Sequence, residues 1–296
     1  MTTKFSIIIP SFNSGSTILR CINSVLNQTF SNFEILVIDN NSSDDTLEII
    51  RSIKDPRIKV YSINNQGIVA KSRNLGLQRA SSNFICFLDS DDWWHKNKLD
   101  IVKCFLDKGY QFLYHDMYIV SSKSNKTSKT FGSKNLGKDP LETFYLYGNQ
   151  IVNSSVVVEK ELITDAGFLD ENPNLSGCED FDLWLKIFLK KIRYKKIPHI
   201  LGYYLQDGNN FSNPQRSHQN SQELKKMFLI IKKNLKKKED PIWLVYKENK
   251  ALFDLKKYTE ITVNYLSCFN FKNLYLSLKL LFVLLASKLL GLSFRK

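Results

Sequence analysis

The sequence predicts an α/β fold: a mostly parallel, Rossmann-like sheet flanked by helices, followed by a basic helical extension. Three observations carry this expectation. The first hundred residues alternate short apolar runs with amphipathic segments. Three of those runs stop at polar clusters, Ser11-Phe12-Asn13, Asp39 to Ser43 and Asp89 to Asp92. From Ser221 onward the apolar spacing becomes helical and the intervening residues turn to lysine.

The elements follow in order. Phe5–Pro10 reads as a buried strand, and Ile18, Leu19, Ile22, Val25 and Leu26 give helical spacing across Ser16–Thr29. Phe33–Asp39 is a second strand, Asp44–Ile53 a helix, Ile58–Tyr61 a short strand and Gly67–Ala80 a helix. Phe84–Leu88 runs directly into Asp89-Ser90-Asp91-Asp92. Next come a helix at Lys96–Lys108 and a strand at Tyr110–Asp116. Ser121–Lys138 is rich in Ser, Lys, Thr and Gly and reads as a mobile loop or insertion. A β-rich run at Ile151–Val158, a helix at Asp180–Lys190, a strand at Ile197–Leu205 and a polar loop at Asp207–Gln219 complete the main body. This gives a domain at 1–220, in two parts at 1–110 and 111–220, and a helical extension at 221–296.

Composition narrows the function. A chain of 296 residues that is 43% hydrophobic and 12% aromatic buries a core and is not disordered. No apolar stretch reaches the length of a spanning helix, and the Phe5–Pro10 run is too short for a signal-peptide core. The five cysteines are odd in number and form no CxxC pair, so neither a zinc site nor a disulfide framework is expected, and a reducing, cytoplasmic setting is. The net charge of +13 is concentrated late, with 16 Lys and Arg against 6 Asp and Glu over 221–296. That excess calls for an anionic partner. No nucleic-acid module accompanies it, which favours a membrane surface. Leu274–Leu292, Leu-rich with Lys279 and Lys288, suits a helix lying in a bilayer interface. The alternative is an appendage that packs on the main body or forms a homodimer.

In open α/β sheets ligands bind beyond the carboxyl ends of the strands, so three polar strand ends point to one site. Asp89 and Asp91, on a tight turn at such an end, provide the hard oxygen ligands that Mg2+ or Mn2+ takes together with substrate phosphates. Turn and helix-cap roles for Asp89 and Asp92 are the structural alternative.

FSIIIPSFN, FEILVIDNNSSDDT, NNQGIVAKSRNLGLQRASSNFICFLDSDDWW, GCEDFDLWLK and YYLQDGNNFS, in this order and spacing, resemble the inverting GT-A glycosyltransferases of family 2. The resemblance is continuous over about residues 4–110 and patchy to about 212. It implies nucleotide contacts from Pro10, Ser11 and Ser90, a base contact from Asp39, and an arginine near the nucleotide at Arg73. Asp89 and Asp91 match the two acids of the DxD motif, the first toward the ribose and the second toward the metal. Asp180 matches the general base of the ED motif, with Glu179 and Trp184 assigned to the acceptor; a helix N-cap is the alternative for Asp180, and core packing for the tryptophans. Relatives close the phosphate site with an arginine and a histidine where Leu205 and Asp207 stand here, and often carry alanine at Ser72. The implied reaction moves a sugar from a nucleoside diphosphate, of the UDP-hexose or UDP-N-acetylhexosamine kind, to a hydroxyl of a lipid-linked or oligosaccharide acceptor in surface-polysaccharide synthesis. The rivals are a sugar nucleotidyltransferase and a non-catalytic binding scaffold. The Ser11–Ser16 loop lacks the basic residue that a triphosphate site needs.

Overall fold

The computed structural model describes residues 4–121, 127–131, 134–206, 213–257, 260–261 and 274–293. In chain order the elements are β1 Phe5–Ser11, α1 Gly15–Leu26, β2 Phe33–Asp39, α2 Thr46–Ser52, β3 Ile58–Ser62, α3 Val69–Arg79, β4 Phe84–Phe87, β5 Trp93–Trp94, α4 Lys98–Leu106, β6 Phe112–Val120 and β7 Thr127–Phe131. They continue with α5 Pro140–Tyr147, β8 Val157–Glu159, α6 Lys160–Asp165, α7 Glu179–Phe188, β9 Tyr194–Leu205, α8 Pro214–Leu235, α9 Ile242–Asp254 and α10 Leu274–Ser293.

The chain forms two compact units. One gathers Met1–Asn135, Gln150–Glu171 and Lys190–Asn210; the other gathers Leu136–Asn149, Asn172–Leu189 and Phe211–Lys296.

The first unit holds the sheet. Among the described residues its strands run β3-β2-β1-β4-β8-β6-β9-β5, with β7 on β6. β1, β2, β3 and β4 are mutually parallel, and β8 enters antiparallel between β4 and β6. Every residue of β1 and β2 is buried, as expected of a sheet covered on both faces. α3 lies so close to the sheet that a Cβ on Gly76 would come within 2.5 Å of Ile8 Cγ2, so only glycine fits there. On β2, Glu34 is buried and accepts from Ser6 Oγ (2.6 Å), Ser81 N (2.7 Å) and Lys59 Nζ (2.8 Å). Burial alone would raise its carboxyl pKa; the bonds from Lys59, Ser6 and Ser81 outweigh that and hold it at about 2.

The second unit is helical and is centred on aromatic rings. Phe144 meets Phe181 edge-on at 5.5 Å, and Phe181 lies 5.9 Å from Trp243, which meets Phe228 at 5.6 Å. Trp243 Nε1 donates to the carbonyls of Phe144 and Tyr145.

Several expectations change at this level. The boundary placed at 220 falls inside α8, whose apolar face (Leu224, Phe228, Ile231) is buried within the helical unit. α8 begins at Pro214 rather than after Gln219, because Asn213 accepts from Arg216 N (2.8 Å) and proline suits the first helical position. The same pair of signals, Asp139 and Pro140, starts α5, a helix that the periodicity did not reveal. The Ser121–Lys138 segment includes β7, paired antiparallel to β6. Only the end of Ile151–Val158 is strand, since Asn153–Ser155 forms a 3-10 turn. Asp207 lies outside the described residues.

Candidate active site

The parallel strands bring their carboxyl ends into register: Ser11 on β1 pairs with Asp39 on β2. Pro10 and Ser11 are buried there, and Ser11 Oγ has no hydrogen-bond partner among the described residues. Asp39 is fully buried and folds the following loop over itself, accepting from Ser42 N (3.0 Å) and Ser42 Oγ (2.5 Å). In this structure Asp39 acts as a strand-end turn residue. Asn13, at φ 47°, ties the loop after β1 to the loop after β2 by accepting from Ser43 N at 2.9 Å.

The four acidic-turn residues follow Leu88. Asp92 N donates to Asp89 O at 3.0 Å, which closes the turn. Asp89 Oδ1 accepts from Arg73 Nη2 at 2.7 Å, the arginine side chain being 7% exposed and the aspartate 33%. Arg73 therefore reaches the site as the anchor of Asp89. Ser90 Oγ shares a hydrogen bond with Ser14 Oγ (2.8 Å), linking the turn to the start of α1. Arg20 on α1 donates to the Asp91 carbonyl (3.1 Å) and lies over the Trp93 ring at 3.7 Å. Asp91 is exposed. Asp92 is buried and accepts from Leu205 N at 3.1 Å on β9.

A layer of residues behind the turn escaped the sequence reading. Ser154 Oγ accepts from Asp89 N at 3.0 Å. The Ser154 carbonyl accepts from Trp94 Nε1 (2.8 Å) and from Lys98 Nζ (3.0 Å). Lys98 is fully buried, 3.5 Å from the Trp94 ring. A signal for it exists in the sequence, because it shares the buried face of α4 with Leu99, Val102 and Leu106. Ser72 is a second case. Its Oγ accepts from Asn65 Nδ2 at 2.9 Å, and Asn65 N in turn donates to Asn40 Oδ1 at 2.8 Å, so this serine fixes the loop that packs on the end of β2.

The turn is strongly negative. Burial, then Asp91 and Asp89, push the Asp92 carboxyl well above the usual range. Burial and then the same three aspartates push Tyr204 up to about 12 and raise the Cys21 thiol. Burial pulls Lys98 down to about 7, against the opposing pull of Cys86 and Asp92. The hard oxygen donors of exposed Asp91 and neighbouring Asp89 fit a divalent cation. Among the described residues no three acidic, His or Cys side chains converge. Such an ion would take the rest of its shell from phosphates and water, as Mg2+ commonly does.

The other assigned residues lie in the helical unit. The N-cap of α7 is Cys178, so Asp180 is a first-turn residue, together with Glu179 and Asp182, and not the cap. The helix starts earlier than its apolar pattern because Gly177, at φ 86°, turns the chain and donates its N–H to Glu179 Oε2 at 2.5 Å. Three carboxylates at a helix N-terminus suit the dipole. Asp180 Oδ1 accepts from Phe181 N (2.7 Å), and Asp180 Oδ2 from Asn149 Nδ2 (3.3 Å). Glu179 is buried, and Trp184 is 0% exposed. Its ring has no open face for a sugar, which places Trp184 in the core.

Comparison with known proteins identifies the family and the fold. A curated Rickettsia conorii protein, described as an uncharacterized glycosyltransferase, is 34% identical over 64% of this chain, and the match spans only 30% of that protein's length. The Escherichia coli protein WfaP, a UDP-Glc:alpha-D-GlcNAc-diphosphoundecaprenol beta-1,3-glucosyltransferase, is 32% identical over 67% of this chain and 76% of its own. S. aureus TarS 1–349, solved with UDP-GlcNAc, superposes with a TM-score of 0.62 at 20% identity, over 97% of this chain and 90% of that one. That likeness shows the fold, a parallel-dominated GT-A sheet with flanking helices. The model of the family described as glycosyl transferase family 2 matches residues 6–157, more than half of the sequence and every strand end that builds the acidic turn, so the chain belongs to that family.

Proposed function

We propose that this glycosyltransferase moves a hexose or N-acetylhexosamine from UDP, with inversion, to a hydroxyl of a glycan carried on a lipid diphosphate in surface-polysaccharide synthesis. The observation that carries the reading is the exposed Asp91 on a turn locked by Arg73, Ser14 and Ser154 at the carboxyl end of the parallel sheet. WfaP, by its description, uses UDP-Glc and a diphosphoundecaprenol-linked sugar, which supports both the donor and the acceptor class.

Each group has a role in this reading. The loops held by Asp39 and Asn13 flank the base, while Pro10, Ser11 and Ser90 line the nucleotide end, and Asp89 faces the ribose. Asp91, with Asp89, would hold Mn2+ or Mg2+. A bound cation supplies charge stabilisation to the departing diphosphate without a proton. Asp180, anionic at the start of α7, accepts the proton of the acceptor hydroxyl as it attacks, and Glu179 supports the acceptor end. Inversion needs one base and no covalent enzyme intermediate. A lipid-linked acceptor puts the protein at a membrane, on its cytoplasmic face, as a peripheral protein reached through residues 221–296.

The test is calorimetric UDP binding with and without Mn2+, beside transfer assays. Asp91→Ala should lose the metal-dependent part of binding together with turnover. Asp180→Asn should bind UDP-sugar normally and turn over roughly a hundredfold or more slowly, the usual weight of a general base. Metal-dependent UDP binding that survives in Asp91→Ala removes the metal assignment.

A further inference from the structure

We infer that α10 presents an anionic-lipid-binding face, a stripe formed by Leu278, Phe282, Leu285 and Leu289. These side chains are 54%, 72%, 54% and 70% exposed. Their spacing of four, three and four residues puts them on one side of the helix. The opposite side is already occupied: Leu280 and Val283 are buried, and Leu280 and Leu284 pack with Ile242, Val245 and Tyr246 of α9. α10 thus has two apolar faces, one spent on its own unit and one turned outward. A helix apolar all round belongs in a core or in lipid. Among the described residues no helix is long and apolar enough to cross a membrane. Insertion along the interface plane is the arrangement left for such a surface.

Charge selects the occupant. α10 contains Lys279 and Lys288 and no acidic residue. The register sets position 279 on one flank of the stripe and position 288 on the other, and the exposed Lys279 can reach headgroups while the apolar residues enter the acyl boundary. In the same unit α8 exposes Leu229 and Ile230 and is followed by Lys236, Lys237 and Lys238. A second copy of the chain fits less well. A two-fold interface along this stripe offers the lysines no acidic residue of the partner helix, whereas a phospholipid surface of negative charge attracts them.

This face deepens the peripheral placement proposed above. It is read without donor or acceptor, so its failure leaves the transfer reaction standing, and loss of transfer leaves it standing too. The full chain is sedimented with vesicles of phosphatidylglycerol and phosphatidylcholine, or of phosphatidylcholine alone, at low and high salt. The wild type should bind the anionic vesicles, weakening with salt. The double variant Phe282→Ser, Leu289→Ser and the single variant Lys279→Glu should each bind roughly tenfold or more weakly, with circular dichroism and melting midpoint unchanged, since all three positions are exposed. Wild-type binding retained by the double variant overturns the inference. So does a wild type that ignores the vesicles and sediments as a dimer that the same substitutions dissociate.

Discussion

Ser154 Oγ accepts a hydrogen bond from the backbone N–H of Asp89 at 3.0 Å, joining the 3-10 turn before β8 to the first residue of the acidic turn after β4. The bond sets the height at which Asp89 and Asp91 leave the sheet, and Trp94 and Lys98 hold the other side of Ser154. Ser154→Ala strands that N–H. Leaving such a donor unmade costs about 1–3 kcal/mol of fold stability, and UDP affinity should fall as the turn shifts, with little change in secondary structure. Calorimetric titration of UDP in the presence of Mn2+ measures it.

Arg73 offers a second handle on the same aspartate. Hydrogen bonds to charged groups contribute about 1.5–3 kcal/mol, at the lower end here because Asp89 is one-third exposed. Arg73→Met should therefore raise the KM for donor roughly tenfold while kcat falls less. Arg73→Lys restores the charge but not the planar fork and should recover only part of the loss. Initial-rate kinetics over donor concentration separate the two.

Lys98 makes stability depend on alkaline pH. Burial brings its pKa from 10.5 to about 7. Between those values the unfolded chain holds a proton that the folded chain lacks, so stability rises with pH across that window. Below about 7 the folded protein carries the full cost of a buried ammonium. Lys98→Met should remove this slope, and urea melts at pH 7 and pH 9 will show whether it does.

Glu34 works at the acid end, and there too stability rises with pH, because its carboxyl is depressed in the folded protein. Its carboxyl is held at about 2, from 4.5. The stabilisation is complete above about 4.5 and is lost as pH falls through about 2. Glu34→Gln should flatten that part of the acid denaturation curve and lower stability at neutral pH, where the ion pair with Lys59 would be missing.

The strands that build the donor side were legible because buried parallel strands read as continuous apolar runs, and Phe5–Pro10 and Phe33–Asp39 lie within one residue of β1 and β2. Asp89, Ser90 and Asp91 were legible as a turn at a strand end, and the anchor role of Arg73 was not, because its partner is set by how α3 lies on the sheet. Ser154 was hidden for the same reason: nothing local distinguishes it from any other short polar residue. Ser72 stood out only as a departure from the relatives' alanine, because its role depends on Asn65, seven residues away. α5 was missed although its Asp139-Pro140 start is readable, since eight residues carry too little periodicity. Trp184 was given to the acceptor on ring type alone, and the packing of α7 puts it in the core.

α8 crosses position 220, and that has a practical consequence for anyone trimming the protein down to its sheet. A polypeptide cut there loses Phe228 and Trp243, the rings that wedge Phe181, and Phe181 is the neighbour of Asp180. Shortened forms should still engage UDP through the strand ends while Asp180, the base proposed above, loses the packing behind it, a pattern easily mistaken for a naturally inert relative.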